Sequence, residues 1–151
     1  MLIGHNARNK RYFDLYRVNV ATGDSELLEL NEGFIGHFTD QLFRVRFAVC
    51  HTENGDVEYL RRGAAGEWTP FTRTGAEDAM TTRPVEFSAD GRELYWLDSR
   101  GRDTTAVVAQ DLETGTLRVL AHDPRRDFTG ILLDPLTARP IAAARYDERL
   151  E

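Results

Sequence analysis

A single cysteine, Cys50, stands in the 151 residues, so no disulfide can form within the chain. It ends a strand-like run and reads as a small buried thiol. Long apolar runs are also missing. The longest aliphatic stretch, Ile141–Ala144, falls far short of the ~20 residues of a membrane span. Met1–Lys10 lacks the apolar segment of a secretory signal, so a cytoplasmic location is expected. Positive charge is not in excess. A net charge of −6 argues against nucleic-acid binding, which needs a basic surface to displace counterions from phosphates. His5, His37, His51 and His122 form no H-x-x-x-H or H-E-x-x-H pair. Cys50 and His51 are neighbours on a strand and point to opposite faces, so no metal is expected. Gly63–Gly66 has no following Lys-Ser or Lys-Thr, which leaves a turn rather than a phosphate cradle, and no cofactor is expected. The acidic pairs Glu77-Asp78 and Asp147-Glu148 read as solvated charge. Helical patterning is almost absent; Glu77–Met80 amounts to one turn.

What is present is a succession of short strands. Hydrophobic residues make up 41% and charged residues 29%, the balance of a folded domain. Glu93–Asp98, Thr105–Asp111 and Leu117–Leu120 alternate in the β manner, and Val85–Ser88 precedes them. The gaps carry Asp90-Gly91, Arg100-Gly101 and Thr114-Gly115, which favour hairpins because glycine accepts φ > 0. The same plan runs through Phe34–Phe38, Arg44–Cys50, Val57–Arg61 and Glu67–Phe71, with Asn54-Gly55 at one hairpin. Earlier still, Val20-Ala21-Thr22-Gly23 overlies Leu112-Glu113-Thr114-Gly115, and the polar loop Asn6–Arg11 overlies Asp98–Asp103. Gly130–Leu133 and Ile141–Tyr146 begin a further copy.

A period of roughly 46 residues with four strands per unit is the pattern of a β-propeller blade. The expected fold is all-β: blades of four antiparallel strands in an incomplete propeller of a little over three blades. Its parts are a partial blade b-c-d at 1–30, blades at 34–73 and 84–121, and a partial blade a-b at 128–146. A β-sandwich is the alternative all-β reading, but it does not call for spacing that repeats in register. Trp68, Tyr95 and Trp96 lie on strands, where aromatic rings pack between blades.

The elements S-A-D-G, D-S-R-G and D-L-x-T-G within Phe87–Leu120 resemble two groups. One is the periplasmic propellers of the bacterial Tol system. The closer resemblance is to the N-terminal propeller of the prolyl oligopeptidase family of serine peptidases, on the acylaminoacyl-peptidase and dipeptidyl-peptidase branch. Met80–Pro84, Leu97–Asp103, Ile131–Pro135 and Arg11–Gly23 carry it further along the chain. This resemblance implies a non-catalytic segment that gates peptide access to, and scaffolds, a separate α/β-hydrolase domain of the same parent chain. It implies peptide substrates only indirectly. The Tol-like alternative is a stand-alone binding module for proteins or small polar ligands. The family's nucleophile sits in a G-x-S-x-G elbow. Ser25, Ser88 and Ser99 all lack the flanking glycine pair, so no catalytic residue carries over.

In a propeller the longer connections gather on one face, and here that face carries Arg83, Arg100, Arg102, Arg125 and Arg126, with Arg8, Lys10, Arg11 and Arg73. These residues either meet a docking partner or substrate, or pair with Asp98, Asp103, Asp123 and Asp127 as surface ion pairs. The bare terminal strands further predict a homo-oligomer when the chain is isolated.

Overall fold

The computed structural model describes residues 1–145. Thirteen strands and, among the described residues, no helix build four antiparallel sheets. The chain divides into two compact units that meet between Ala76 and Glu77.

In the first unit, β1 (Leu2–Asn9), β2 (Tyr12–Val18) and β3 (Ser25–Glu29) form a three-stranded meander. Then β4 (Gly36–Thr39), β5 (Val45–His51), β6 (Val57–Arg62) and β7 (Trp68–Thr74) form a four-stranded one. The hairpin between β5 and β6 closes with Thr52 N–H on Asp56 O at 2.9 Å. Gly55 sits there at φ 84, which an L side chain would resist. Phe47, Ala48, Val57 and Tyr59 form the unit's buried apolar centre.

In the second unit, β8 (Arg83–Phe87), β9 (Glu93–Asp98), β10 (Ala106–Asp111) and β11 (Leu117–Ala121) form the other four-stranded meander. They are followed by the pair β12 (Phe128–Leu133) and β13 (Pro140–Arg145). Leu94 to Asp98 on β9 are buried without a break, as are Ala106 to Gln110 on β10. Both faces of these central strands are covered, which is why LYWL and AVVA read as continuous apolar runs rather than alternation. Pro84 on β8 and Pro70 on β7 sit in outer strands, where a missing N–H breaks no ladder between two neighbours.

The structure redraws several stretches. Asn6–Arg11, expected as a loop, is mostly strand: β1 continues to Asn9, and only Lys10 and Arg11 turn. A register shift between His5 and Asn9 absorbs the polar residues, and Asn9 Oδ1 accepts from Arg11 N–H at 3.0 Å. Glu77–Met80 keeps to the one turn expected, and no helix continues from it. A single turn closes there, with Thr82 N–H donating to Asp78 O at 2.8 Å. Cys50 is only half-buried, its Sγ 4.0 Å from Glu58 Oε2. Burial first, and then the Glu58 charge, raise the thiol pKa above its ordinary value. The expected strand Ile141–Tyr146 appears as β13; Tyr146 and the pair Asp147-Glu148 lie outside the described residues.

Candidate functional site: the loop end of the second unit

Three connections of the second unit gather at one end of its sheets, 77–82, 99–105 and 122–127. Hydrogen bonds weld them together. Ser99 Oγ lies 2.6 Å from Asp78 Oδ1, 2.7 Å from Thr81 Oγ1 and 3.1 Å from Thr82 Oγ1. The Ser99 N–H donates to Thr82 Oγ1 at 3.0 Å. This fixes the loop before β8 against the β9–β10 hairpin. On the other side, Thr104 Oγ1 donates to Asp123 O at 2.6 Å and meets His122 Nε2 at 3.1 Å. Thr105 N–H donates to Asp127 Oδ1 at 2.7 Å. The hydroxyls of Ser99 and Thr104 and the backbone N–H of Thr105 thus tie this hairpin to the loops on either side.

The arginines singled out from the sequence sit on this frame. Arg100 grips the buried Asp98 through Nε on Oδ1 at 2.8 Å and Nη2 on Oδ2 at 3.1 Å. Its guanidinium also lies over the Trp96 ring, 5.5 Å from the centroid. Arg102 approaches Asp98 at 3.8 Å and donates to Arg100 O at 3.2 Å. Arg126 stands 3.8 Å from Asp123, which Arg145 also holds. Arg125 gives its backbone N–H to Asp123 Oδ1 at 2.9 Å. Arg83, at the start of β8, reaches Thr129 O at 3.4 Å. Asp98 and Asp123 therefore take the ion pairs, while Asp127 caps a backbone N–H. Asp103 lines a shallow polar recess with Glu77, Asp78, Gly101 and Arg102. This end carries cations and carboxylates in near balance, so it suits polar recognition rather than capture of a bulk anion.

Arg8 and Arg73 belong to the first unit and are engaged there. Arg73 pairs with Asp56. Arg8 forks onto Asp14, with Nε on Oδ2 at 2.8 Å and Nη2 on Oδ1 at 2.7 Å. The buried Asp14 was not apparent from the sequence, because nothing in the polar spacing Arg8-x₅-Asp14 marks a pair across a hairpin.

The remaining reactive groups stand apart. Ser88 donates to Asp90 Oδ1 at 2.7 Å within its own turn. Ser25 opens β3 on the surface. His5 stacks edge-on against Tyr16, and His122 bonds a threonine. Among the described residues, no group of three or more His, Cys, Asp and Glu could hold a metal ion.

No family model and no solved structure matches the chain. Two curated proteins do. Dipeptidyl aminopeptidase BIII of Pseudoxanthomonas mexicana is 38% identical over 140 residues, which cover 92% of this chain and 20% of that protein. Dipeptidyl peptidase family member 6 of Caenorhabditis elegans is 26% identical over 144 residues, covering 89% of this chain and 20% of that protein. The chain spans about one fifth of the length of these relatives, and along nearly all of its own length it is homologous to a segment of the dipeptidyl peptidases.

Proposed function

We propose that the chain is a β-propeller segment of a dipeptidyl-peptidase-like serine peptidase, non-catalytic in itself, which restricts peptide access to an α/β-hydrolase domain and scaffolds it. The observation that carries this is the match across nearly the whole chain to one fifth of a dipeptidyl aminopeptidase. The sheets support the propeller reading: their first strands open at Gly36, Arg83 and Phe128, roughly 46 residues apart, and two of them hold four antiparallel strands. The welded loop end, with Arg83, Arg100, Arg102, Arg125 and Arg126, is the surface we assign to the hydrolase domain or to passing peptide. The acylaminoacyl-peptidase branch is a narrower form of the same reading.

A serine nucleophile needs a base within hydrogen-bond reach and an oxyanion hole. Ser99 is held by Asp78, Thr81 and Thr82, and Ser88 by Asp90. The chain alone is therefore expected to leave a fluorophosphonate probe unreacted and a dipeptidyl chromogenic substrate uncleaved. Stoichiometric labelling of Ser25, Ser88 or Ser99 overturns the assignment. The coding sequence beyond Glu151 separates this reading from a stand-alone binding module: a G-x-S-x-G elbow supports the peptidase, and further blades alone support the module.

The isolated chain is also expected to associate. The outer edges of β1 and β13 pair with no described strand. Apolar side chains lie open beside them, with Phe13 at 51%, Leu132 at 61% and Ile141 at 61% exposure. An open cleft of ~540 Å³, lined by Tyr95, Val107, Leu120 and Ile141, adjoins β13. Bare strand edges and uncovered apolar surface both recruit other chains. Light scattering at micromolar concentration should show a dimer or larger species; a compact monomer contradicts the expectation.

A further inference from the structure

We propose that His37 makes the packing between the two sheets of the first unit sensitive to pH. The inference is independent of the peptidase reading. His37 lies on β4, in a box of aromatic rings. Phe34 meets it edge-on at 5.7 Å between centroids, and Trp68 of β7 lies at 6.0 Å with 34° between the planes. Phe34 and Trp68 also contact one another at 5.5 Å. Arg62 of β6 covers the Trp68 ring at 4.9 Å and forms an ion pair with Glu29 of β3, so it ties the second sheet to the first.

The box is held in place from the first sheet. Asp14 accepts the Asn31 N–H at 2.8 Å. Asn31 in turn closes the turn before β4, with Nδ2 donating to Phe34 O at 2.9 Å and Oδ1 accepting from Phe34 N–H at 2.8 Å. Phe34 is thereby pinned against the imidazole.

Within this box the His37 Nε2 is buried and has no hydrogen-bond partner. A bare ring nitrogen costs less there than an N–H donor with no acceptor, so the neutral ring with its proton on Nδ1 is the form that fits. Protonation places an N–H and a charge in the box. The charged groups facing it are Arg62 on β6, which opposes a second cation, and Glu29 on β3 and Asp14 on β2, which favour one. Glu29 is already engaged by Arg62, and Asp14 by Arg8 and Asn31. Burial is the leading influence and depresses the His37 pKa, with Arg62 adding to it and the two carboxylates opposing. The imidazolium is relieved only by leaving the box or by drawing Glu29 away from Arg62. Either movement loosens the first sheet from the second.

The sign follows from linkage. A histidine with a depressed folded pKa contributes its stability above the unfolded value of about 6.5, and that stability is lost as pH falls toward the folded pKa. The test uses the whole chain. The imidazole proton resonance of His37, followed by NMR, should titrate below the ordinary histidine value. Amide protection in β3 and β4, corrected for the intrinsic pH dependence of exchange, should fall as pH drops below about 6.5, with the urea midpoint falling over the same range. His37→Phe keeps an aromatic ring in the box and should remove that part of the fall; the other three histidines remain in both proteins, so the difference isolates His37. Titration of His37 at or above the ordinary value overturns the proposal, and this readout needs no variant to fold. An equal fall in the phenylalanine variant overturns it as well.

Discussion

Replacing Trp96 with alanine is expected to destabilise the second unit by about 3–5 kcal/mol, the range for large-to-small changes at fully packed aromatic sites. Trp96 is 0% exposed at the middle of β9. In register it stands opposite Val108 of β10 and Pro84 of β8, so its ring is shared by three strands. Alanine leaves a void that flanking strands cannot close without giving up ladder hydrogen bonds. The ring also supports Arg100, whose guanidinium lies over it while gripping Asp98. The substitution should therefore loosen the β9–β10 hairpin together with the core. Chemical denaturation measures the first effect, and amide exchange at 99–105 the second. A loss under about 1 kcal/mol would mean that the strand is not packed as described.

The second large effect is expected at Asp14. Its carboxylate is buried, accepts from Arg8 through both oxygens and from the Asn31 N–H, and is drawn down to a pKa of about 2. The Arg8 hydrogen bond is the leading cause, and the backbone bond from Asn31 is next. Asp14→Ala strands the buried Asn31 N–H and leaves Arg8 only the Asn31 carbonyl, and should lower the unfolding midpoint markedly at neutral pH. Asp14→Asn keeps the shape and one acceptor, and should lose less. The pH dependence has a definite sign. Because the folded pKa is depressed, the wild-type advantage is full above the unfolded value of about 3.8 and disappears as pH falls through about 2. Midpoints of wild type and Asp14→Asn should thus converge in acid. A gap that stays constant from neutral pH to about pH 2 would show that the charge is not what Asp14 supplies.

The strand plan was legible in the sequence because it rests on local chemistry. Glu93–Asp98 was placed to the residue, and Leu117–Leu120 within one. Asp-Gly, Asn-Gly and Thr-Gly mark the hairpins, since only glycine takes the required positive φ cheaply, as at Gly91, Gly55 and Gly115. Errors came where polar residues are held by distant partners. Asn6–Arg11 looked like a loop because Asn6, Arg8 and Asn9 do not alternate with apolar residues. Arg8 stays in the strand through its grip on Asp14, six positions away across a turn. Glu77–Met80 read as a single turn and forms one, but nothing local showed that the hydroxyls of Thr81 and Thr82 and the Asp78 carboxylate all reach Ser99.

Sequence by itself determined the all-β class, the repeat near 46 residues, and the lack of a G-x-S-x-G elbow, because each is written in neighbouring residues. Tertiary structure decided which charges are spent. Arg100 read as meeting either a partner or a carboxylate; in the fold it grips Asp98, two residues away and buried beneath it. Only the folded chain brings Ser99 to Asp78 and Glu29 to Arg62. It also leaves the His37 Nε2 without a partner among aromatic rings. Hydrogen bonding and desolvation depend on distances set by packing, and residues 21 or 33 positions apart carry no local sign that they will meet.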